Sequence, residues 1–153
     1  MDDTLIRKWN ERVKPNDVVY FLGDFCFKKS AEAPDGNAFE YYRQKLNGDI
    51  IFILGNHDKN NGCKSVLQSA IIRMAGINML LIHSPYLTAG RVCDLVLCGH
   101  VHEKWKFLKS DNVVTINVGV DVNNFMPVSI NELLTDKQRW LNASKGSACL
   151  PKN

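Results

Sequence analysis

Apolar positions recur along this chain in two rhythms. Leu5, Ile6, Trp9 and Val13 fall on one helical face, with Asp2 and Asp3 ahead of them at the positive end of the helix dipole, which predicts a helix over 4–13 that Pro15 ends. Asp17 to Leu22 is a β-branched and aromatic run stopped by Gly23-Asp24, the pattern of a buried strand emptying into a loop. Phe39, Tyr42 and Leu46 predict a second helix over 37–46, ended by Asn47-Gly48. Ile50 to Leu54 is a second buried strand, again stopped by glycine. A further helix is expected over 64–74. Ile77 to Ile82 predicts a third strand leading into His83-Ser84-Pro85, and Leu95 to Cys98 a fourth leading into Gly99-His100. Val113 to Val118 adds a strand, Val128 to Ile130 a short one, and Asn131 to Trp140 a closing helix. Residues 141–153 carry no periodicity and predict a loose tail behind a single domain spanning 1–140.

Strands alternating with helices, each strand continuous in apolar character, predict a layered α/β domain. A length of 153 residues with 45% hydrophobic and 23% charged positions suits one soluble unit with a real core. The longest apolar runs, Val18 to Leu22 and Ile50 to Leu54, fall far short of the roughly 18 residues a membrane helix needs. Five cysteines without a C-x-x-C pair argue against a disulfide framework or a cysteine zinc site. The N-terminus opens with acids instead of a basic, then unbroken apolar stretch. Both observations predict the cytoplasm. A net charge of +3, with basic residues scattered or in short groups such as Lys104, Lys106 and Lys109, favours an anionic partner only faintly.

The chemistry lies in where the polar residues fall. Asp24 follows the first predicted strand, Asn56-His57-Asp58 the second, His83 the third, and His100-Val-His102 the fourth; the chain has four histidines and all of them are in this set. Loops at one edge of a layered α/β sheet converge on a crevice, so these segments can bring Asp24, Asn56, His83, His100 and His102 together as a metal site's inventory. Imidazole and oxygen donors without thiolate suit manganese, iron, nickel or zinc. Each piece alone is weak, since a lone histidine after a strand is more often a satisfied structural group. The four together are not.

These residues resemble a known family, the calcineurin-like metallophosphoesterases, of small bacterial and phage type. Gly23-Asp24, Gly55-Asn56-His57-Asp58, His83 and Gly99-His100-Val101-His102 look like the family's second to fifth blocks, and Asn117-Val-Gly-Val-Asp121 with Pro127-Val-Ser-Ile-Asn-Glu-Leu133 extends the likeness. The resemblance implies an αββα arrangement, a layered β-sandwich flanked by helices, and two divalent metal ions in an intact member. It implies that Asp24 bridges the two ions, that Asn56, His83 and His100 complete one ion's protein ligands, and that His102 serves the other. It further implies that His57 contacts the substrate phosphate or protonates the leaving group, with Asp58 holding the His57 ring.

The family's opening Asp-x-His block has no counterpart here, because no histidine precedes His57. The resemblance thus implies that the family's first strand and its loop, roughly 25 to 30 residues, are missing. The function expected is a metal-dependent phosphoesterase hydrolysing a phosphomonoester or phosphodiester through a two-metal-activated water. A phosphorylated small molecule or a nucleotide is the expected substrate, nucleic acid stays open, and no membrane is involved. The alternative is a non-catalytic metal- or phosphate-binding module, a truncated or degenerate phosphoesterase. An unrelated zinc hydrolase or deaminase is disfavoured by the lack of H-x-E with P-C-x-x-C. Trp9, Trp105 and Trp140 read as packing residues, Cys98 as a buried strand residue, and Lys28 and Lys29 as a solvated loop that could meet a phosphate.

Overall fold

The structure is a computed structural model that describes residues 2–27, 33, 37–88 and 92–146. Helix α1 spans Asp2–Arg12, with Asp2 and Asp3 in its first turn and Arg12 in its last, the charge order that the helix dipole favours. Its buried Trp9 donates its indole N–H to the Asn47 carbonyl at 2.9 Å, anchoring the helix to the segment that enters the second strand. Strands β1 (Val18–Phe21) and β2 (Asp49–Phe52) pair in parallel, Val18 beside Asp49 and Phe21 beside Phe52. Parallel neighbours need a long crossover, and α2 (Ala38–Arg43) lies within it. Phe21, Phe25, Phe39 and Phe52 form an aromatic cluster under this crossover, with ring centroids 5.0 to 5.8 Å apart.

A second sheet contains β3 (Ser69–Met74), β4 (Ile77–Ile82), β5 (Leu95–Cys98), β6 (Phe107–Ser110) and β7 (Val113–Asn117) in the order β3-β4-β5-β7-β6. β4, β5 and β7 run parallel, while β3 and β6 close the two sides as antiparallel hairpin partners. The parallel centre is buried on both faces, as the unbroken apolar runs of β4 and β5 require. Met79, Leu81, Leu95, Leu97, Val114 and Ile116 share one buried cluster with Leu22 and Ile53 from the ends of the first sheet and Leu133 from the last helix. Leu80, Ile82, Val96 and Cys98 fill the other face, against Cys93, Trp105 and Val113. Helix α3 (Ile130–Gly146) lies over the first of these faces, its Trp140 stacked on Phe107 at 5.3 Å. This is the layered mixed α/β architecture the sequence predicts. No helix among the described residues is long and apolar enough to cross a membrane.

Three expectations are corrected and one strand is added. The helix expected over 64–74 is instead an irregular segment followed by β3 from Ser69, because Ala75 (φ 52°) and Gly76 (φ 77°) form a two-residue turn with both central φ values positive, and that turn commits the flanking residues to a hairpin. The strand expected at Val128–Ile130 is the approach to α3: Ser129 accepts the Glu132 N–H on its Oγ while the Glu132 carboxylate accepts the Ser129 N–H, a reciprocal cap that starts a helix. β6 has no forecast, its Leu-Lys-Ser being too polar to read as a buried run. The closing helix continues past Trp140 to Gly146, so the start of the supposed tail is helical; Ser144 Oγ bonds the Trp140 carbonyl one turn back, and 147–153 lie outside the described residues, Cys149 among them.

Candidate metal centre

The parallel pairs β1/β2 and β4/β5 deliver their carboxyl ends to one place. Ile53 N–H donates to the Phe21 carbonyl at 2.8 Å, and Gly99 N–H to the His83 carbonyl at 3.0 Å, so both ladders continue one step past the strands into the loops that carry the polar residues. The two sheets touch there. A Cβ on Gly23 (φ 91°) would lie 2.5 Å from the Gly55 nitrogen and 2.6 Å from His83 Nδ1, and one on Gly55 would overlap the Asp24 carboxylate. Only glycine permits that approach. Asp24 (φ 57°), His100 (φ 70°) and His102 (φ 48°) all hold left-handed backbone, a conformation disfavoured for residues with a Cβ and concentrated at functional sites.

His83 sits at the centre, buried. Its Nδ1 lies 2.7 Å from the Leu22 carbonyl oxygen, which can only accept, so Nδ1 carries the proton and Nε2 presents a lone pair. Around Nε2 stand Asn56 Oδ1 at 3.0 Å, His100 Nδ1 at 3.1 Å and Asp24 Oδ2 at 3.2 Å. Acceptors thus converge on one point with a negative charge beside them. A positive centre reconciles them, either a second proton on His83 or a cation. Burial first, and then the neighbouring His83, lower the His100 pKa below the usual imidazole value, which keeps its ring neutral and available as a donor atom. Two imidazole nitrogens, an amide oxygen and a carboxylate fit a divalent transition-metal ion. Asp24, His83 and His100 lie within ligating distance of one another.

The carboxylate of Asp58, 1% exposed, accepts the Asp24 N–H and the Gly55 N–H on Oδ2 at 2.8 Å each and the Phe25 N–H on Oδ1 at 3.0 Å. Through these three amides the carboxylate knots the first loop to the second. His57 is tied through its backbone, its N–H donating to Asp24 Oδ1 at 2.9 Å, and its ring is exposed.

His102 stands apart from the four-donor cluster. Its side chain is 74% exposed, and its Nδ1 lies 3.2 Å from Asp121 Oδ2, with Glu103 completing a second group of donor atoms. Asp121 and Glu103 were invisible to strand-end reasoning, because Asp121 sits in a short 3-10 turn, Val120–Val122, that tertiary folding brings beside the H-x-H loop. Its one signal was its place at the end of Asn117-Val-Gly-Val-Asp121. Of the other expectations, Trp105 packs on the second core cluster and Cys98 is fully buried, where desolvation raises its thiol pKa to about 12. Lys28 and Lys29 lie outside the described residues.

Residues 2–124 match the calcineurin-like phosphoesterase superfamily domain. The chain is 35% identical to an uncharacterized protein of Methanocaldococcus jannaschii over 136 residues, 86% of this chain and 72% of that one. Among solved structures it resembles a protein of unknown function from Aquifex aeolicus with a TM-score of 0.63 and 22% identity, over 88% of this chain and 83% of that one, a likeness of fold. An archaeal phosphodiesterase aligns at a TM-score of 0.45 and 24% identity, over 76% of each chain.

Proposed function

Because this chain belongs to the calcineurin-like phosphoesterase superfamily, we propose that it is a metal-dependent phosphoesterase that hydrolyses a phosphomonoester or phosphodiester. The observation that carries this reading is the convergence of Asp24, Asn56 and His100 on Nε2 of His83. Two divalent cations, when bound, supply the Lewis acidity that activates an attacking water and offsets the charge building on the phosphoryl oxygens. Asp24, Asn56, His83 and His100 would hold one of them. Asp24 and His102 would serve the other. His57, whose N–H bonds Asp24 and whose ring is open to solvent, would protonate the departing oxygen.

A second reading, a metal- or phosphate-binding module without turnover, draws on the separation of His102 from the group of Asp24, His83 and His100, which leaves the second ion with a thinner set of donors. One experiment separates the two. The full chain is equilibrated with Mn²⁺, its bound metal counted by elemental analysis, and hydrolysis of chromogenic aryl phosphate mono- and diesters followed. Mn²⁺-dependent turnover that His57→Ala abolishes, with metal content held, is the expected result. Metal uptake without turnover would leave the binding module, and no uptake would end the enzyme reading and the metal-binding one.

A further inference from the structure

We infer that Asp121 is a positioning residue for His102, fixing which nitrogen of that ring faces a cation; the inference rests on the metal reading above. Asp121 Oδ2 lies 3.2 Å from His102 Nδ1. A carboxylate accepts and does not donate, so Nδ1 carries the proton and Nε2 keeps its lone pair outward. An imidazole that ligates through one nitrogen while the other donates to a carboxylate has its tautomer and ring direction set in advance, and such outer partners typically contribute 10- to 100-fold in metal affinity.

What keeps the two side chains together is Asn117, fully buried at the end of β7. Its Nδ2 donates to the His102 carbonyl at 2.6 Å and to the Trp105 carbonyl at 2.9 Å, and its Oδ1 accepts the Gly119 N–H at 2.9 Å. One amide thus grips the H-x-H loop on one side and the start of the turn bearing Asp121 on the other. Asn123 closes that turn, its Nδ2 donating to the Gly119 carbonyl at 2.8 Å. This arrangement also holds His102 in its left-handed backbone. An exposed ring with free χ angles would otherwise sample both tautomers and many directions. Asp121 and Asn117 together confine it.

The test uses ¹⁵N-labelled full chain without metal, read by long-range ¹H–¹⁵N spectra of the histidine rings, and then a Mn²⁺ titration. The wild-type His102 should show the Nδ1–H tautomer. Asp121→Ala should move it toward Nε2–H, leave the other three histidine rings and the melting midpoint in place, and weaken one Mn²⁺ binding step roughly tenfold or more. Asp121→Asn, which keeps an accepting oxygen, should restore the tautomer and part of the affinity; a merely structural role would show none of this pattern. An Nε2–H wild-type ring, or a tautomer or Mn²⁺ affinity indifferent to Asp121→Ala, overturns the inference alone. A wild-type chain that takes up no Mn²⁺ overturns the metal reading and this inference with it.

Discussion

Asp58 shows how a single side chain can organise two loops. Replacing its carboxylate strands the amides of Asp24, Phe25 and Gly55 in a place with little water, and charged hydrogen bonds of this kind contribute more than neutral ones. Asp58→Ala is therefore expected to lower the unfolding free energy by about 3 kcal/mol, read from the urea midpoint, and to reduce metal content as well, since the Asp24 backbone loses its support. Normal stability in that variant would show that water can replace all three bonds. At this scale the sequence told the kinds of residue and their order but not their partners. The tetrad Gly55-Asn56-His57-Asp58 is visible as chemistry, yet nothing local reveals that Asp58 bonds residues more than thirty positions earlier, such as Asp24.

Between elements, α1 and α3 are joined at one edge by Arg12 and Glu132, a bond that also sits inside the reciprocal cap of α3. The Arg12 guanidinium, followed by the Ser129 N–H and hydroxyl, lowers the Glu132 pKa from 4.5 to about 2. A carboxylate whose folded pKa is depressed contributes stability above its unfolded pKa and loses it as pH falls toward the folded one. The stability of the native chain should thus fall between about pH 4.5 and 2 more than that of Glu132→Gln. With the side chain half exposed, solvent screening holds the difference to about 1 kcal/mol or less. Parallel pH series of urea unfolding would check it, and identical slopes would remove Glu132 from the linkage. Element reading succeeded where burial is two-sided, as in β4 and β5, because nothing but a strand explains so short an unbroken apolar run. It failed at β3, where Ser-Ala-Ile-Ile-Arg-Met mixes polar and apolar positions and the deciding signal, the Ala75-Gly76 turn, lies outside the segment.

Across the whole molecule, the candidate site exists only where the two sheets meet, so the cation and the fold should stabilise each other. A ligand that binds the folded chain alone adds about 2.7 kcal/mol at a hundredfold excess over its Kd, roughly 5 to 10 °C of melting temperature for a chain of this size. Mn²⁺ is expected to raise the melting temperature of the native chain by that order, and His100→Ala to lose most of the rise; an equal rise in both would locate the ion elsewhere. That much of the site was legible before its geometry follows from parallel topology: strands that run together release their carboxyl-end residues at one edge, so strand ends predicted the gathering of Asp24, Asn56, His83 and His100, while His102 lies in a separate group. What joined later, Asp121 and Asn117, came from turns whose positions depend on the entire packed core.

The left-handed backbones of Asp24, His100 and His102 set function against durability. Each of these positions carries a side chain with a Cβ at a φ sign that only glycine adopts without cost, a conflict of roughly 1 to 2 kcal/mol per residue. Selection for thermal endurance alone would therefore drift toward glycine at all three and erase the chemistry while improving the fold. Under the metal reading proposed above, Asp24, His100 and His102 are the positions at which the chain trades backbone ease for donor atoms.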